Sequence, residues 1–246
     1  GGQFRSLCVT ASGAKMSAVA TKAPWAVVWD LELNTTERLV VDNGPVNAVA
    51  FSPVGGSLLI GTGTYPLDVR KRSEAQVQIW NRDENWTPVL TAALPGVCVD
   101  WLGWIESANC ICAVTGRRTQ NGGFVCFLDA TTLRTLRIVD CAPSIVKACW
   151  TQDWPPAVAA VFDDFSVVHL DDREDSDARF AAAVPLNGAC MDGDEIFTTS
   201  GQVLDAETGN MIEQFTPLDS CCYVAARPGG GYVGIATTGV LRVWEA

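Results

Sequence analysis

Apolar and polar positions along this 246-residue chain alternate with a period of two, in short runs broken by Gly, Pro, Asn and Asp. That is the pattern of half-buried strands separated by turns. It is clearest between residues 46 and 93, where Val46–Pro53, Ser57–Thr64, Ala75–Asn81 and Pro88–Ala93 read as four strands, here called a to d. No stretch sustains a helical period, so the pattern predicts an all-β protein.

A second, longer period overlies the first. The order apolar, any residue, apolar, Trp or Leu, then an acid or amide recurs along the chain. It reads Val27-Val28-Trp29-Asp30, Val77-Gln78-Ile79-Trp80-Asn81, Val125-Cys126-Phe127-Leu128-Asp129, Val167-Val168-His169-Leu170-Asp171, Gln202-Val203-Leu204-Asp205 and Leu241-Arg242-Val243-Trp244-Glu245. The Trp/Leu anchors are 51, 48, 42, 34 and 40 residues apart. A repeat near 40 residues with β-rich content is the period of a propeller blade. Proline turns keep the same phase, at Pro45, Pro95, Pro143, Pro185 and Pro217. After the anchor come segments such as Asp129-Ala130-Thr131-Thr132 and Asp205-Ala206-Glu207-Thr208-Gly209, whose Asp and Thr side chains are expected to close turns onto nearby backbone N–H groups.

The expected fold is a single all-β domain over residues 1–246, a β-propeller of about six four-stranded blades. Their approximate bounds are 4–43, 46–93, 97–140, 145–184, 187–216 and 220–246. Phe4–Val9 aligns with Val46–Phe51 and reads as strand a of the first blade. The sequence stops just after strand c of the sixth, so the last blade is expected to lack its outer strand within this chain. An open sheet edge can accept a partner segment by strand addition.

The second unit resembles the WD-repeat family in Val46-Asn47-Ala48-Val49-Ala50-Phe51-Ser52-Pro53, Gly55-Gly56-Ser57-Leu58-Leu59-Ile60 and Val77-Gln78-Ile79-Trp80. The sixth unit echoes it in Val224-Ala225-Ala226-Arg227-Pro228-Gly229-Gly230 and Leu241-Arg242-Val243-Trp244. The resemblance implies a propeller used as a protein-interaction scaffold, with its b–c and d–a loops on one face. Two features depart from the family. The Gly-His pair that opens a repeat is absent, since His169 is the sole histidine and lies in a strand c, and Trp-Asp ends a repeat once, at Trp29-Asp30. The family's Asp-His-Ser-Trp hydrogen-bond tetrad therefore cannot form.

Composition narrows the function. The formal net charge is −11, so general nucleic-acid binding is not expected, because phosphate contacts need clustered Lys and Arg. No apolar run is long enough to span a bilayer as a helix. Ten Cys are scattered through apolar stretches without a second ligand-spaced pair beside Cys110-Ile111-Cys112. They read as buried free thiols of a reducing intracellular compartment, cytoplasmic or nuclear, with no cofactor and no metal expected.

Catalytic readings are thin. His169 replaces the apolar residue before an anchor and reads as a packed core histidine. No Gly-x-Ser-x-Gly elbow accompanies it. The acids Asp163-Asp164 and Asp171–Asp177 lack the Gly and terminal Glu of a calcium loop and read as solvated turns. Six-bladed lactonases resemble the chain in blade number, which leaves a metal-dependent propeller hydrolase with a site at the channel mouth as the alternative function.

Two basic loops point elsewhere. Arg70, Lys71 and Arg72 fall in the b–c loop of the second blade, and Arg117 and Arg118 in that of the third. On adjacent blades these five cations would form a patch for an acidic segment of a partner protein, with Arg suited to bidentate carboxylate contacts. Of nine Trp, positions 29, 80, 101, 150 and 244 are expected in the core, with Trp101 and Trp150 aligned on Phe51. Positions 25, 86, 104 and 154 fall nearer strand ends and turns, where a side chain can be either buried or exposed. The sequence thus reads as a non-catalytic interaction scaffold.

Overall fold

A computed structural model describes residues 4–10, 12–20, 23–42, 44–64, 74–105, 109–116, 123–141, 145–150, 157–162, 166–171, 178–181, 189–192, 195–205, 208–226, 230–236 and 238–245. Two compact units, Gly1–Ala142 and Pro143–Ala246, divide the chain.

The first unit holds three antiparallel four-stranded sheets in simple up-and-down order. They are β1 (Phe4–Val9), β2 (Lys15–Ala20), β3 (Trp25–Asp30) and β4 (Thr35–Val40); β5 (Val46–Phe51), β6 (Ser57–Thr62), β7 (Gln76–Asn81) and β8 (Thr87–Ala93); and β9 (Cys98–Ile105), β10 (Cys110–Gly116), β11 (Gly123–Asp129) and β12 (Thr135–Cys141). The second unit repeats the plan with β13 (Ile145–Trp150), β14 (Ala157–Phe162), β15 (Ser166–Asp171) and β16 (Ala178–Ala181), then β17 (Ala189–Asp192), β18 (Glu195–Thr198), β19 (Gln202–Asp205) and β20 (Met211–Gln214). Its last sheet has three strands among the described residues, β21 (Cys221–Ala226), β22 (Tyr232–Ala236) and β23 (Leu241–Trp244). A single 3-10 turn, Arg82–Glu84, is the helical element among the described residues.

The first strands of consecutive sheets pack side by side, β1 on β5 and β5 on β9 in the first unit, β13 on β17 and β17 on β21 in the second. Each inner sheet is therefore covered on both faces, and the strand period of two shares its side chains between two cores. In the second sheet Val49, Phe51, Leu58, Ile60 and Trp80 pack on the first sheet's Ala26 and Val28. The alternate residues Ala48, Ala50, Leu59, Val77 and Ile79 pack on Val99, Leu102 and Ile111 of the third. That is why β5 to β7 are buried along almost their whole length, while the outer β8 is mostly exposed.

The acid after the anchor closes the c–d turn, as expected. Asp129 accepts from the N–H groups of Thr131 and Thr132 and from the Thr132 hydroxyl. Asp205 does the same with Thr208, and Asp30 accepts from the N–H groups of Glu32 and Leu33. Four residues past the acid the backbone turns left-handed, at Asn34, Leu133 and Gly209. Leu133 bears that strain, about 1–2 kcal/mol for a residue with a Cβ, and buries its side chain in the core between the second and third sheets.

Two anchor indoles find acceptors close by. The Trp80 indole donates to Gln78 Oε1 at 2.8 Å, and that of Trp244 to the Thr216 carbonyl at 3.0 Å. Between the fifth and sixth sheets Phe197 stacks on Tyr232 with ring centroids 4.2 Å apart, and the Tyr232 hydroxyl donates to Glu195.

One expectation about tryptophan needs correction. Trp104 pairs with Ile111, which pairs with the anchor Leu128, just as Phe51 pairs with Leu58 opposite Trp80. Trp104, not Trp101, is thus the equivalent of Phe51. Trp86 is buried, its ring 6.4 Å from that of Phe51.

Candidate functional site

Arg70, Lys71, Arg72, Arg117 and Arg118 lie outside the described residues. The roots of their two loops are described, and they meet. The first loop leaves β6 through Gly63 and Thr64, and the second leaves β10 through Gly116. Thr64 N–H donates to the Val97 carbonyl at 2.9 Å, and Val97 N–H donates to the Gly116 carbonyl at 2.9 Å. A single residue, Val97, thus carries a root on each side. Gly63 forms a bridge with Cys98, and the Thr115 hydroxyl donates to the Pro95 carbonyl at 2.6 Å.

A recurrent irregularity aims polar side chains at these roots. Strand a slips by one residue against strand b at Arg5, Asn47, Asp100, Val146 and Cys222. A bulge leaves its extra residue out of the ladder and redirects its side chain. Asn47, buried, donates from Nδ2 to the Gly63 carbonyl at 2.9 Å. Asp100, exposed, accepts from the Cys98 thiol at 3.5 Å. Its carboxylate stands 2.8 Å from where a Cβ on Gly116 would sit. One acid therefore stands at the rim of the second basic loop. Sequence reasoning did not single out Asn47 or Asp100. The available signal was a polar residue at the second position of an apolar strand, in Val46-Asn47-Ala48 and Val99-Asp100-Trp101.

The edge of β23 is the other surface singled out by the sequence. β23 is the outermost strand of its sheet among the described residues.

At the opposite end of the first two sheets, Asp30 bridges Lys15 at 3.9 Å and Arg82 at 3.5 Å. The Leu33 N–H, with help from both cations, holds the Asp30 carboxyl below the usual carboxylate range. A small cleft beside it is lined by Leu33, Thr35, Glu37 and Trp86.

His169 sits in β15 opposite Ala159 and Ala178. Asp163, Asp164 and residues 172–177 lie outside the described residues. Among the described residues no three His, Cys, Asp or Glu side chains form a metal-binding group, and no helix is long and apolar enough to cross a membrane. Cys98, Cys110, Cys112, Cys126, Cys190 and Cys221 are buried, and burial pushes the Cys8 thiol up to about 12.

No family model and no curated protein matches the chain. Solved structures do. A chain of a mitotic checkpoint complex superimposes with a TM-score of 0.78 at 14% identity, over 99% of this chain and 73% of that one. A chain of Kuenenia stuttgartiensis hydrazine synthase gives 0.78 at 12% identity, over 99% and 84%. At such identities the likeness shows the fold alone, an all-β chain with its sheets arranged as a β-propeller.

Proposed function

We propose that this chain is a non-catalytic protein-interaction platform of the WD-repeat type, each of its six sheets being one blade, working in a reducing intracellular compartment. Its primary surface is the pair of basic loops, with Arg70, Lys71, Arg72, Arg117 and Arg118 gathered to receive an acidic segment of a protein partner. The observation that carries this reading is the meeting of both loop roots at Val97. Both loops start one hydrogen bond from a shared residue, which supports reading them as one ligand site. Clustered guanidinium groups favour carboxylates by charge and by paired donor geometry. Against a background of −11, a local cationic patch also steers approach and orientation.

The fold itself argues less. One structural neighbour comes from a multiprotein assembly and the other from an enzyme, and a propeller hosts both kinds of work. Capture of a protein partner is the reading to which the basic loops add a specific reason. The outer side of β23 offers a second mode, pairing with an extended partner strand. The test is charge reversal at Arg70, Arg72, Arg117 and Arg118. Loss of binding to an acidic peptide supports the reading, and unchanged binding overturns it.

A further inference from the structure

The turns at the other end of the first two sheets hold residues that folding does not ask for. Leu31 and Leu33 in the c–d turn of the first sheet are 53% and 64% exposed, and Val54 in the a–b turn of the second is 87% exposed. Such tips are ordinarily Gly, Pro, Asn, Asp or Ser. Position 33 is the sharpest case. Its equivalents are Thr132 and Thr208, each of which closes its turn with a hydroxyl bond to the preceding Asp. Leu33 forgoes that bond and leaves an apolar side chain in water.

These turns form one contiguous end. Leu31 N–H donates to the Ala14 carbonyl, Arg82 N–H donates to the Gly56 carbonyl, and a Cβ at Gly55 would stand 3.0 Å from Thr10 Cγ2. Charge on this end is lopsided. Lys15 and Arg82 are both taken up by Asp30. Glu32, Asp83 and Glu84, all exposed, have no cation partner among the described residues. This end therefore exposes three apolar side chains and three acids, beside an Arg82 that is paired with Asp30.

We propose that this end is a second docking surface, for a cationic amphipathic segment of a partner protein whose apolar side chains cover Leu31, Leu33 and Val54. Its Lys or Arg side chains meet Glu32, Asp83 and Glu84. This surface is the reverse in charge of the basic-loop patch and stands independently of it.

The test uses the full chain and a fluorescent 14-residue helical peptide of Leu and Lys, with its Leu and Glu counterpart as control. Three variants are compared by anisotropy: Leu33→Ser with Val54→Ser; Glu32→Lys with Asp83→Lys and Glu84→Lys; and Glu213→Lys with Asp219→Lys, which reverses exposed acids on the second unit. The first two variants should each weaken the Leu/Lys peptide by about tenfold or more, and the third by less than about twofold. Equal loss in the third variant would mean attraction by net charge alone and overturn the proposal. Unchanged binding in the first would do the same. All altered side chains are exposed, and a thermal melt on each variant confirms that the fold is kept.

Discussion

Thr64 and Val97 are joined by a backbone hydrogen bond of 2.9 Å, and Val97 passes the connection on to Gly116 over the same distance. That junction depends on Gly63. A Cβ there would lie 2.3 Å from the Val97 carbonyl oxygen and 2.4 Å from Cys98 Cα, at a φ of +143°. The obstruction is backbone, which cannot swing aside. Gly63→Ala should therefore cost about 1–3 kcal/mol through crowding and strain. A thermal melt should drop by about 2–4 °C for each kcal/mol in a chain of this size. An unaltered melting temperature would mean that the junction is looser than described.

The last sheet offers a parallel test. A Cβ at Gly234 would fall 2.7 Å from two ring atoms of Trp244, so the glycine makes room for the anchor indole. Gly234→Ala should destabilise by about 1–3 kcal/mol. Pairing it with Trp244→Leu should cost less than the sum of the two single changes, because the smaller side chain removes the clash. Urea unfolding of the four proteins in a double-mutant cycle measures this coupling.

The turn acids make a statement about pH. Asp129 is held below its ordinary value of 3.8, first by the Thr132 hydroxyl and then by the Thr132 and Thr131 N–H groups. A carboxyl depressed in the folded state adds stability above its ordinary value, and that share is lost as pH falls through the folded value. Asp129→Asn keeps an oxygen acceptor without the titration. Stability of this variant should fall less steeply than that of the parent as pH is lowered from about 5 to 2. Denaturant melts at stepped pH read the difference, and parallel curves would contradict it.

The cysteines give a fourth prediction. Cys98, Cys110, Cys112, Cys126, Cys190 and Cys221 are buried, and Cys8 stays protonated far above neutral pH. The thiolate is the reactive form, so these thiols should resist a maleimide at pH 7.5 in the folded protein and react together once urea unfolds it. Rapid labelling of any of them before the spectroscopic transition would show that its sheet opens locally.

Much of the fold was legible because the blade repeat is written in apolar side chains. Phe4–Val9 was marked as a strand by its likeness to Val46–Phe51, and it is β1. Asp129 and Asp205 were marked as turn residues by position, and they accept the expected bonds. The failures share a cause. Asp100 bulges out of β9, and an alternation count cannot see a residue that drops out of the ladder. With two Trp in Cys98–Ile105, the count matched Trp101 to Phe51 when pairing selects Trp104. The burial of Trp86 was not legible because its ring meets Phe51, a tertiary contact that local pattern does not encode. The two loops gathered at Val97 were legible as charge, but their shared root was not, since Pro95, Gly96 and Val97 look like an ordinary turn.

The central claim is that five cations on two loops act as one site for an acidic partner segment. Its most direct measurement is fluorescence anisotropy of a labelled 12-residue Glu/Asp-rich peptide against the parent chain, a variant reversed at Arg70 and Arg72, one reversed at Arg117 and Arg118, and Asp100→Asn. Either reversal alone should weaken binding by about tenfold or more, because each reverses two of the five cations of one site. Asp100→Asn should tighten it by removing the acid at the rim. Binding that survives reversal of both loops, or that does not respond to either alone, would contradict the account.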